Sequence, residues 1–596
     1  MSWGSAMSTN RIGQVLSCAP EAIVVVVDDL KVFEEYKASL QVGRYLRIAQ
    51  GNNDFTVAVI RNVRGVSTQD KDGNPVWQFY IECQAVGTLV GDKTFERASM
   101  LLPVPTESAF AADKETLDKL FAEDAEYQFP LGQLSLNKSI ALKVNGDRFF
   151  SKHIAIVGST GSGKSCAVAR ILQDVVGIDV QRNHNLGKQN NSHIVIFDIH
   201  DEYSAAFKLP EDQSFTLNRL DVGSLHLPYW LMNSEELESM FIESNEENSH
   251  NQVSQFKQAV ILNKERHNPT IKEMTYDTPV YFSVEEVFQY IENMNREVIG
   301  RLENENLPKL ADGTLVKDRT IYFDKTYTFV TQSAAKADKA TNGPFSGEFN
   351  RFVSRLETKL ADKRLRFLLH PSKTDGSPFR TGDFEDIMKQ FLGYLNKANI
   401  TIVDLSGIPF EVLSITVSLV SRLIFDFCFH YSKLRHEKDA LNDVPVMIVC
   451  EEAHNYIPQR EDAAYRSSRK SLERVAKEGR KYGLSLMVVS QRPSEVSETI
   501  FAQCNNFIAL RLTNNADQDY VRRLFPDNSN GITDILPNLA PGECVVVGDA
   551  VLLPAVVQMP LPDPQPHSQS VRVHQEWKEL WRNITFADVI SRWRKE

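Results

Sequence analysis

The sequence predicts an α/β fold built around a parallel sheet, preceded by a small β-barrel and interrupted by a helical insertion. Three observations predict it. Apolar runs that end in polar residues alternate with helical segments after residue 136, which is typical of parallel sheets. Residues 11–105 instead contain short β-rich runs separated by turn signals. A mainly helical pattern occupies residues 227–398 and separates two stretches of the alternating pattern.

The most informative element is the glycine-rich octapeptide GSTGSGKS at residues 158–165, which follows an apolar run and precedes a helical pattern. Glycines let the main chain wrap a triphosphate with its N–H groups, and the N-terminus of the next helix favours negative charge. Lys164 is predicted to reach the β and γ phosphates, and Ser165 to bind Mg²⁺. The octapeptide, called the P-loop below, therefore predicts ATP and Mg²⁺ as cofactors. The residues predicted to hold the nucleotide are Gly158, Ser159, Thr160, Gly161, Ser162, Gly163, Lys164, Ser165 and Cys166.

Two carboxylates, Glu451 and Glu452, directly follow the apolar run of residues 446–450. Glu451 is predicted to hold Mg²⁺ directly or through water, and Glu452 to orient and deprotonate the attacking water. A pair of acids at a strand end is also a common surface feature. Its position in the same parallel sheet as the P-loop favours the catalytic assignment.

Gln491 follows the next apolar run, residues 484–489. A polar residue at this place can touch both the γ phosphate and the attacking water, so Gln491 is the predicted sensor of the bound nucleotide. The alternative is a polar side chain that merely caps a strand end.

Residues 460–482 form the most basic segment of a chain whose formal net charge is −12. Such an acidic chain can bind nucleic acid only through a local basic surface. Three interpretations stay open for this segment: a nucleic-acid path, one arginine acting as a finger on a neighbour's ATP, and a solvated helix face. For the first, the predicted DNA contacts are Arg466, Arg469 and Lys470.

Composition narrows the class of protein. The seven cysteines are odd in number and form no CxxC pair, which argues against a disulfide framework and against a zinc site. By inspection, no apolar run approaches the roughly 20 residues that span a bilayer, the longest being residues 22–27, and the N-terminus lacks a signal-peptide pattern. We therefore expect a soluble, cytoplasmic protein without a membrane partner.

At 596 residues the chain is long enough for several structural units. Residues 542–554 are predicted to form a hairpin and residues 576–593 an amphipathic helix. The predicted units are residues 1–10, a cloning scar or disordered start; 11–105, a barrel for assembly; 106–135, a linker; 136–226, the first part of the ATPase core; 227–398, the insertion; 399–558, the second part of the core; and 559–596, a linker and helix.

Together these motifs resemble the HerA family of hexameric DNA-translocating ATPases and helicases, which is related to the FtsK translocases. The resemblance covers most of the chain. It is carried by KHIAIVG at residues 152–158 leading into the P-loop, DIHDEY at 198–203, LPYWL at 227–231, DLSG at 404–407, EEAH at 451–454 and EGRKYG at 478–483.

The resemblance implies a RecA-like P-loop ATPase core, an N-terminal barrel that helps to close a homohexamer, and double-stranded DNA threaded through a central pore. ATP would lie between subunits, which makes Lys152, Arg480 and Arg511 candidates for charges supplied in trans. Arg480 thereby joins Lys164, Glu452 and Gln491 among the predicted catalytic residues. Family members work with a nuclease of the NurA type in DNA end processing or, in bacterial antiviral defence, with nuclease or sirtuin-like NADase effectors.

Two positions depart from the family pattern. Glu451 stands where many members have Asp, which leaves metal binding chemically intact. The loop that usually reads Asp-Pro-His-Gly-Glu-Tyr reads Asp-Ile-His-Asp-Glu-Tyr at residues 198–203, which leaves the detailed role of that loop open.

Three other functions are weighed against the translocase. Conjugative secretion ATPases share the P-loop and the Gly-Arg-Lys segment but normally bring membrane attachment. A nucleotide-gated ring scaffold would activate a partner enzyme, with its own hydrolysis incidental. A metabolic P-loop kinase is disfavoured because no pocket signature for a small substrate is present and Glu452 is better placed to activate water.

Overall fold

Two sheets organise the chain, a seven-stranded one near the N-terminus and an eleven-stranded one in the remainder. The computed structural model describes residues 11–51, 53–69, 75–97, 102–121, 128–178, 190–208, 215–242, 249–302, 305–460, 466–525, 532–568 and 571–594. The segment predicted as a scar or disordered start, residues 1–10, lies outside them.

The N-terminal sheet closes into the predicted small barrel. Alternate residues such as Val25 and Val27, or Leu46 and Ile48, are buried, as expected of strands with one face on a core. The second strand pairs with both the first and the fifth, which closes a ring of six strands and leaves the sixth strand at the edge. The strands are β1 Arg11–Cys18, β2 Ile23–Val27, β3 Tyr45–Ala49, β4 Phe55–Gln69, β5 Pro75–Val90, β6 Thr94–Glu96 and β7 Ser108–Ala111.

The large sheet has the order β12-β15-β11-β16-β17-β10-β18-β19-β20-β8-β9, in which the first seven strands are parallel and the others antiparallel. Its central strands are continuous buried apolar runs, as in a sheet covered on both faces. The strands are β8 Gln128–Leu134, β9 Asn137–Asn145, β10 His153–Val157, β11 His193–Asp198, β12 Leu217–Leu220, β15 Ile400–Asp404, β16 Val446–Cys450, β17 Leu484–Ser490, β18 Cys504–Leu510, β19 Glu543–Gly548 and β20 Ala555–Gln558; a separate pair is β13 Val298–Gly300 and β14 Ala340–Asn342.

Residues 106–135 do not form the predicted linker. β7 pairs with β1 and β3 and completes the barrel, and β8 pairs with β9 and β20 at the edge of the large sheet. β8 was not predicted from the sequence because it contains Pro130 and Gly132. Both residue types are unfavourable inside strands but are tolerated at sheet edges and bulges. A Cβ at Gly132 would lie 2.5 Å from the Gln558 carbonyl oxygen, so the close pairing requires glycine.

The helices cover the large sheet and build the insertion. In the described part of residues 227–398 they run from α5 to α10, beside the small sheet β13–β14. The helices are α1 Leu30–Tyr36, α2 Lys114–Phe121, α3 Gly146–Phe150, α4 Lys164–Val176, α5 Ser234–Phe241, α6 Ser249–His267, α7 Val284–Arg296, α8 Asn350–Ala361, α9 Arg366–Leu369, α10 Phe384–Phe391, α11 Phe410–His436, α12 Arg466–Glu478, α13 Glu498–Phe501, α14 Asn515–Leu524, α15 Val573–Glu576 and α16 Phe586–Arg594.

The longest apolar segment is α11, not residues 22–27, so that prediction is wrong. Its stretch Val412–His436 is long and apolar enough to cross a membrane, yet 78% of the most apolar window is buried inside the fold. Two hydroxyl pairs join it to α12, with Oγ–Oγ distances of 2.7 Å between the buried Ser414 and Ser468 and 2.8 Å between Ser418 and the half-buried Ser471. These contacts are those of a core helix. The interspersed serines also explain why the run was missed in the sequence.

The C-terminal region differs from its prediction in two ways. The helix predicted at residues 576–593 is broken, because α15 ends at Glu576 and α16 begins only at Phe586. The preceding segment is docked: the Gln173 side chain of α4 donates to the Pro564 carbonyl at 2.8 Å and accepts from the Asp563 N–H at 3.1 Å. The end of the chain thus crosses the helix that follows the P-loop.

His153 ties the start of β10 to its neighbours and should make stability depend on pH. Its Nδ1 accepts from the Leu486 N–H at 2.9 Å, so its Nε2 donates to the Ala476 carbonyl at 2.8 Å. Burial lowers the pKa of His153 to about 4. Because the unfolded state then binds the proton more readily, stability should fall as the pH drops from 6.5 towards 4, by about 2 kcal/mol at pH 5. Urea midpoints against pH check this, and a His153→Gln variant should show a flatter profile; an equally steep one would contradict the assignment.

Candidate active site

The P-loop lies between β10 and α4, at the edge where the parallel strands end. Gly163 directly precedes α4 with φ of 103°, a conformation that glycine adopts without strain. A Cβ at Gly158 would lie 2.6 Å from Ser162 Oγ and 2.8 Å from Leu510 Cβ, so this turn has no room for a side chain. No side chain in the described part of the chain caps α4 at Gly163. The first amides of α4 are therefore directed to the place where phosphates would bind.

Neighbouring strands fix the P-loop from both sides. The Ser159 N–H donates to the Arg511 carbonyl at 2.8 Å, which joins the P-loop to the end of β18. On the other side, the Thr160 hydroxyl donates to Gln491 Oε1 at 2.6 Å. The structure thus places Gln491 against the P-loop. Its hydrogen bond couples the residue after β17 directly to the phosphate-binding turn.

Glu451 is held at the end of β16, two strands from β10. Its carboxylate is 2% exposed and accepts a hydrogen bond of 2.6 Å from the Tyr203 hydroxyl. Burial raises the pKa of Glu451, while the Tyr203 hydroxyl and the nearby Lys164 ammonium oppose that shift. A positive ion beside Glu451 would add to the same opposing effect, so the site favours a cation.

Glu452 has a different environment from Glu451. Its φ of 45° is in the left-handed region, which is costly for a residue that is not glycine and is common at functional sites. Its Oε2 is buried and has no hydrogen-bond partner among the described residues, although His454 Nδ1 lies 3.3 Å away. An unpaired carboxylate oxygen at this edge is a group available to accept a proton from water.

Asp198 and Tyr203 are site residues that the sequence analysis quoted only as part of a family motif. The Asp198 carboxylate accepts three backbone N–H groups, from His200, Glu202 and Tyr203, at 2.9–3.2 Å. These hydrogen bonds fix the loop after β11 and position Tyr203 next to Glu451. Asp201 has φ of 55°, a left-handed conformation that Asp tolerates better than most residues other than glycine.

The oxygen groups of the site fit Mg²⁺. Ser165 offers a hydroxyl at the start of α4, and Glu451 offers a carboxylate from the next strand but one. The described residues contain no group of three or more His, Cys, Asp or Glu side chains that could hold a metal ion. Mg²⁺ suits such a sparse set, since it usually keeps several waters and binds one or two protein groups together with substrate phosphates.

Replacing Tyr203 by Phe should raise the Mg²⁺ concentration needed for half-maximal ATP turnover by about tenfold, because the hydroxyl orients the predicted metal ligand. Turnover measured across a Mg²⁺ series checks this expectation. Tyr394→Phe is the matched control, since that side chain is 47% exposed and remote from Glu451. An unchanged Mg²⁺ requirement in Tyr203→Phe would show that the hydrogen bond is only structural.

The three candidate trans charges occupy opposite edges of the sheet. Arg511 follows β18 and lies beside the P-loop of its own chain. Lys152 precedes β10 and pairs with Asp549 at 2.6 Å, while Arg480 precedes β17 and donates to Asn505 Oδ1 at 3.1 Å. Because a strand rises about 3.3 Å per residue, Arg480 lies on the order of 20 Å from the P-loop edge. The structure does not bring Arg480 to the nucleotide site of its own chain.

The basic residues on α12 are engaged within the chain. Arg469 donates to Glu473 at 2.8 Å and to the Gln459 carbonyl at 2.9 Å, and Lys470 pairs with Glu235 at 2.6 Å. The side chain of Arg466 lies outside the described residues. These pairs favour the solvated helix face over a free nucleic-acid path for the described part of this segment.

The chain is similar to known helicases. Residues 129–424 match the family described as Helicase HerA, central domain. The DNA double-strand break repair helicase HerA of Pyrococcus furiosus is 24% identical over 476 residues, 76% of this chain and 72% of that protein. A probable DNA double-strand break repair helicase HerA of Methanocaldococcus jannaschii is 23% identical over 564 residues, 91% of this chain and 95% of that protein.

Among solved structures, the plasmid coupling protein TrwB in complex with a non-hydrolysable ATP analogue aligns over 77% of this chain and 94% of its own, with a TM-score of 0.42 and 14% identity. The family match covers the P-loop, the Asp198 loop and the insertion, and the alignments to the HerA helicases extend over most of the chain. The chain therefore matches the central domain of the HerA helicases over residues 129–424, is similar to those helicases over most of its length, and is a P-loop ATPase.

Proposed function

We propose that this chain is an ATP-driven DNA translocase or helicase that works as a ring of six copies. One observation carries the enzymatic part: the P-loop, the Glu451–Tyr203 pair and the unpaired Glu452 oxygen lie at one edge of the sheet. The assignment of DNA as the substrate is supported by the relatives, which are named as DNA double-strand break repair helicases.

In the proposed reaction, the P-loop amides and Lys164 hold the triphosphate, and Glu452 takes a proton from the water that attacks the γ phosphate. Gln491, fixed to Thr160, aligns that water and reports the state of the γ phosphate through the same hydrogen bond. Ser165 and Glu451 would hold Mg²⁺, which neutralises phosphate charge when bound.

A ring explains the position of Arg480 and Lys152. Both lie at the sheet edge opposite the P-loop, and a charge there can approach only the nucleotide of another copy. Arg480 is the stronger candidate, because Lys152 is already paired with Asp549 at 2.6 Å, whereas Arg480 bonds only the neutral Asn505 amide in the described contacts. Arg511 belongs to the site of its own chain.

The proposal extends to an effector partner, either a nuclease, NurA-like or other, or a sirtuin-like NADase, in a cytoplasmic assembly for antiviral defence or DNA end processing. No residue in the chain identifies the effector, so this part rests on the family resemblance alone. A ring scaffold that activates such a partner without using hydrolysis is the second candidate. A secretion-type motor would normally bring membrane attachment or docking, and the one candidate span among the described residues, in helix α11, is packed in the core.

The test measures ATP turnover by the purified chain with and without double-stranded DNA, together with the mass of the assembly. A six-copy species whose turnover rises with DNA supports the translocase. A species that hydrolyses ATP at the same rate with and without DNA, and does not bind DNA, contradicts it. Activation of a partner enzyme that persists in a hydrolysis-dead variant would favour the scaffold.

A further inference from the structure

A second cleft opens at the same sheet edge as the P-loop, at the ends of β12 and β15. It has a volume of about 850 Å³ and is lined by residues of the core and of the insertion. Its cationic and imidazole side chains are Arg219, His226, Lys363, Arg366, His370 and Arg592.

The cleft is separate from the nucleotide site. β15 is four strands from β10 in the sheet order, which corresponds to about 19 Å at the usual strand spacing. Among the described residues that line the cleft there is no glycine-rich turn of the P-loop kind, and its walls come from different elements. A nucleotide held by the P-loop therefore leaves this cleft free.

The two carboxylates in the cleft are already used. Asp404 accepts from Arg219 at 2.7 Å, and Asp221 accepts from the Gly223 and Ser224 backbone at 3.0 and 2.9 Å. In contrast, Lys363 and Arg366 are exposed and form no ion pair or side-chain hydrogen bond among the described residues. Two uncompensated cations face the opening in a chain whose net charge is −12.

A polar surface with Arg351 as its exposed cation continues beyond the cleft along α8. Arg351, Ser354, Arg355 and Thr358 line a shallow depression on one face of this helix, while Phe352 and Leu356 bury its other face. Residues spaced by three and four lie on the same side of a helix, so the polar face is a continuous stripe. The stripe is about 10 Å long at the rise of an α-helix and leads into the turn that carries Lys363 and Arg366.

We infer that the stripe on α8 together with Lys363 and Arg366 binds the phosphodiester backbone of duplex DNA. This inference rests on the proposed function and assigns the DNA contact to the insertion, not to α12. A strand of duplex presents one phosphate for every 3.4 Å or so of helix axis, so a stripe of this length faces several phosphates at once. A small anion would occupy only one point of such an extended surface.

The α12 cations are the competing surface, and the structure disfavours them. Arg469 and Lys470 are held by Glu473 and Glu235 at 2.8 and 2.6 Å, so DNA would have to displace a carboxylate from each. DNA that binds Lys363 and Arg366 would not have to displace a carboxylate. Their contacts would be electrostatic and independent of base sequence.

The experiment uses the full chain and a fluorescent 30-base-pair duplex, with binding followed by anisotropy in a salt series. The double variant Lys363→Gln/Arg366→Gln should bind about tenfold more weakly, and its slope of log affinity against log salt should be shallower by about 2, since each lost phosphate contact removes about 0.9. The loss should be equal for two duplexes of unrelated sequence. ATP turnover without DNA should stay unchanged.

The matched control is Lys336→Gln/Lys339→Gln, which removes the same charge from exposed positions of the insertion outside the cleft. It should leave affinity and salt slope as in the wild type. If both double variants weaken binding equally, the effect is net charge and the inference is wrong. Wild-type protein that binds no duplex would overturn the proposed function as well, whereas unaltered binding by Lys363→Gln/Arg366→Gln overturns this surface alone.

Discussion

Replacing Glu452 by Gln should lower ATP turnover by at least about a hundredfold while leaving nucleotide binding intact, because a general base contributes about 10²–10⁴ to the rate. Gln keeps the shape of the side chain but cannot take a proton from water. The buried, unpaired Oε2 of Glu452 is the group that would be lost. The backbone at φ of 45° is unaffected, so stability should change little.

Turnover of purified variants at saturating ATP, together with binding of a fluorescent ATP analogue, checks this expectation. Glu437→Gln is the matched control, since Glu437 is exposed beyond the end of α11. Turnover near the wild-type rate in Glu452→Gln would remove Glu452 as the base. Loss of binding together with turnover would instead indicate a structural role.

The sequence was sufficient for the parts of the site that are local in the chain. The strand, P-loop and helix at residues 153–176 follow from an apolar run, glycines and helical spacing. The two glutamates after β16 follow from their place at a strand end. The relation between these pieces also follows, because parallel strands present their carboxyl ends at one edge.

Contacts between residues far apart in the chain could not be predicted from the sequence pattern. The bond from Tyr203 to Glu451 spans 248 positions, and only the folded loop after β11 shows that Asp198 organises it. β8 escaped prediction because its pairing with β20 overrides the poor strand propensity of proline and glycine. The positions of Arg480 and Arg511 at opposite edges likewise depend on the order of strands in the sheet.

Because Arg480 lies at the sheet edge opposite the P-loop, we expect a second large loss of ATP turnover when it is replaced. Arg480→Ala should reduce turnover by about a thousandfold or more, as expected when an arginine that stabilises the transferred phosphoryl group is removed. The isolated variant should still bind ATP, since its own P-loop is intact. Lys164→Ala should also abolish turnover, by removing the side chain that reaches the phosphates.

Mixing the two inactive variants separates action in trans from a local structural role. In a ring assembled from equal amounts, about a quarter of the interfaces combine the intact P-loop of an Arg480→Ala copy with the intact Arg480 of a Lys164→Ala copy. Co-expressed rings should therefore recover a measurable fraction of wild-type turnover, whereas each variant alone remains inactive. If Arg480 acted within its own chain, no mixed interface would be complete and no turnover would return. The same experiment with Arg511→Ala in place of Arg480→Ala is the control. Its mixed rings should show no more turnover than the average of the two variants measured alone, because Arg511 lies beside the P-loop of its own chain.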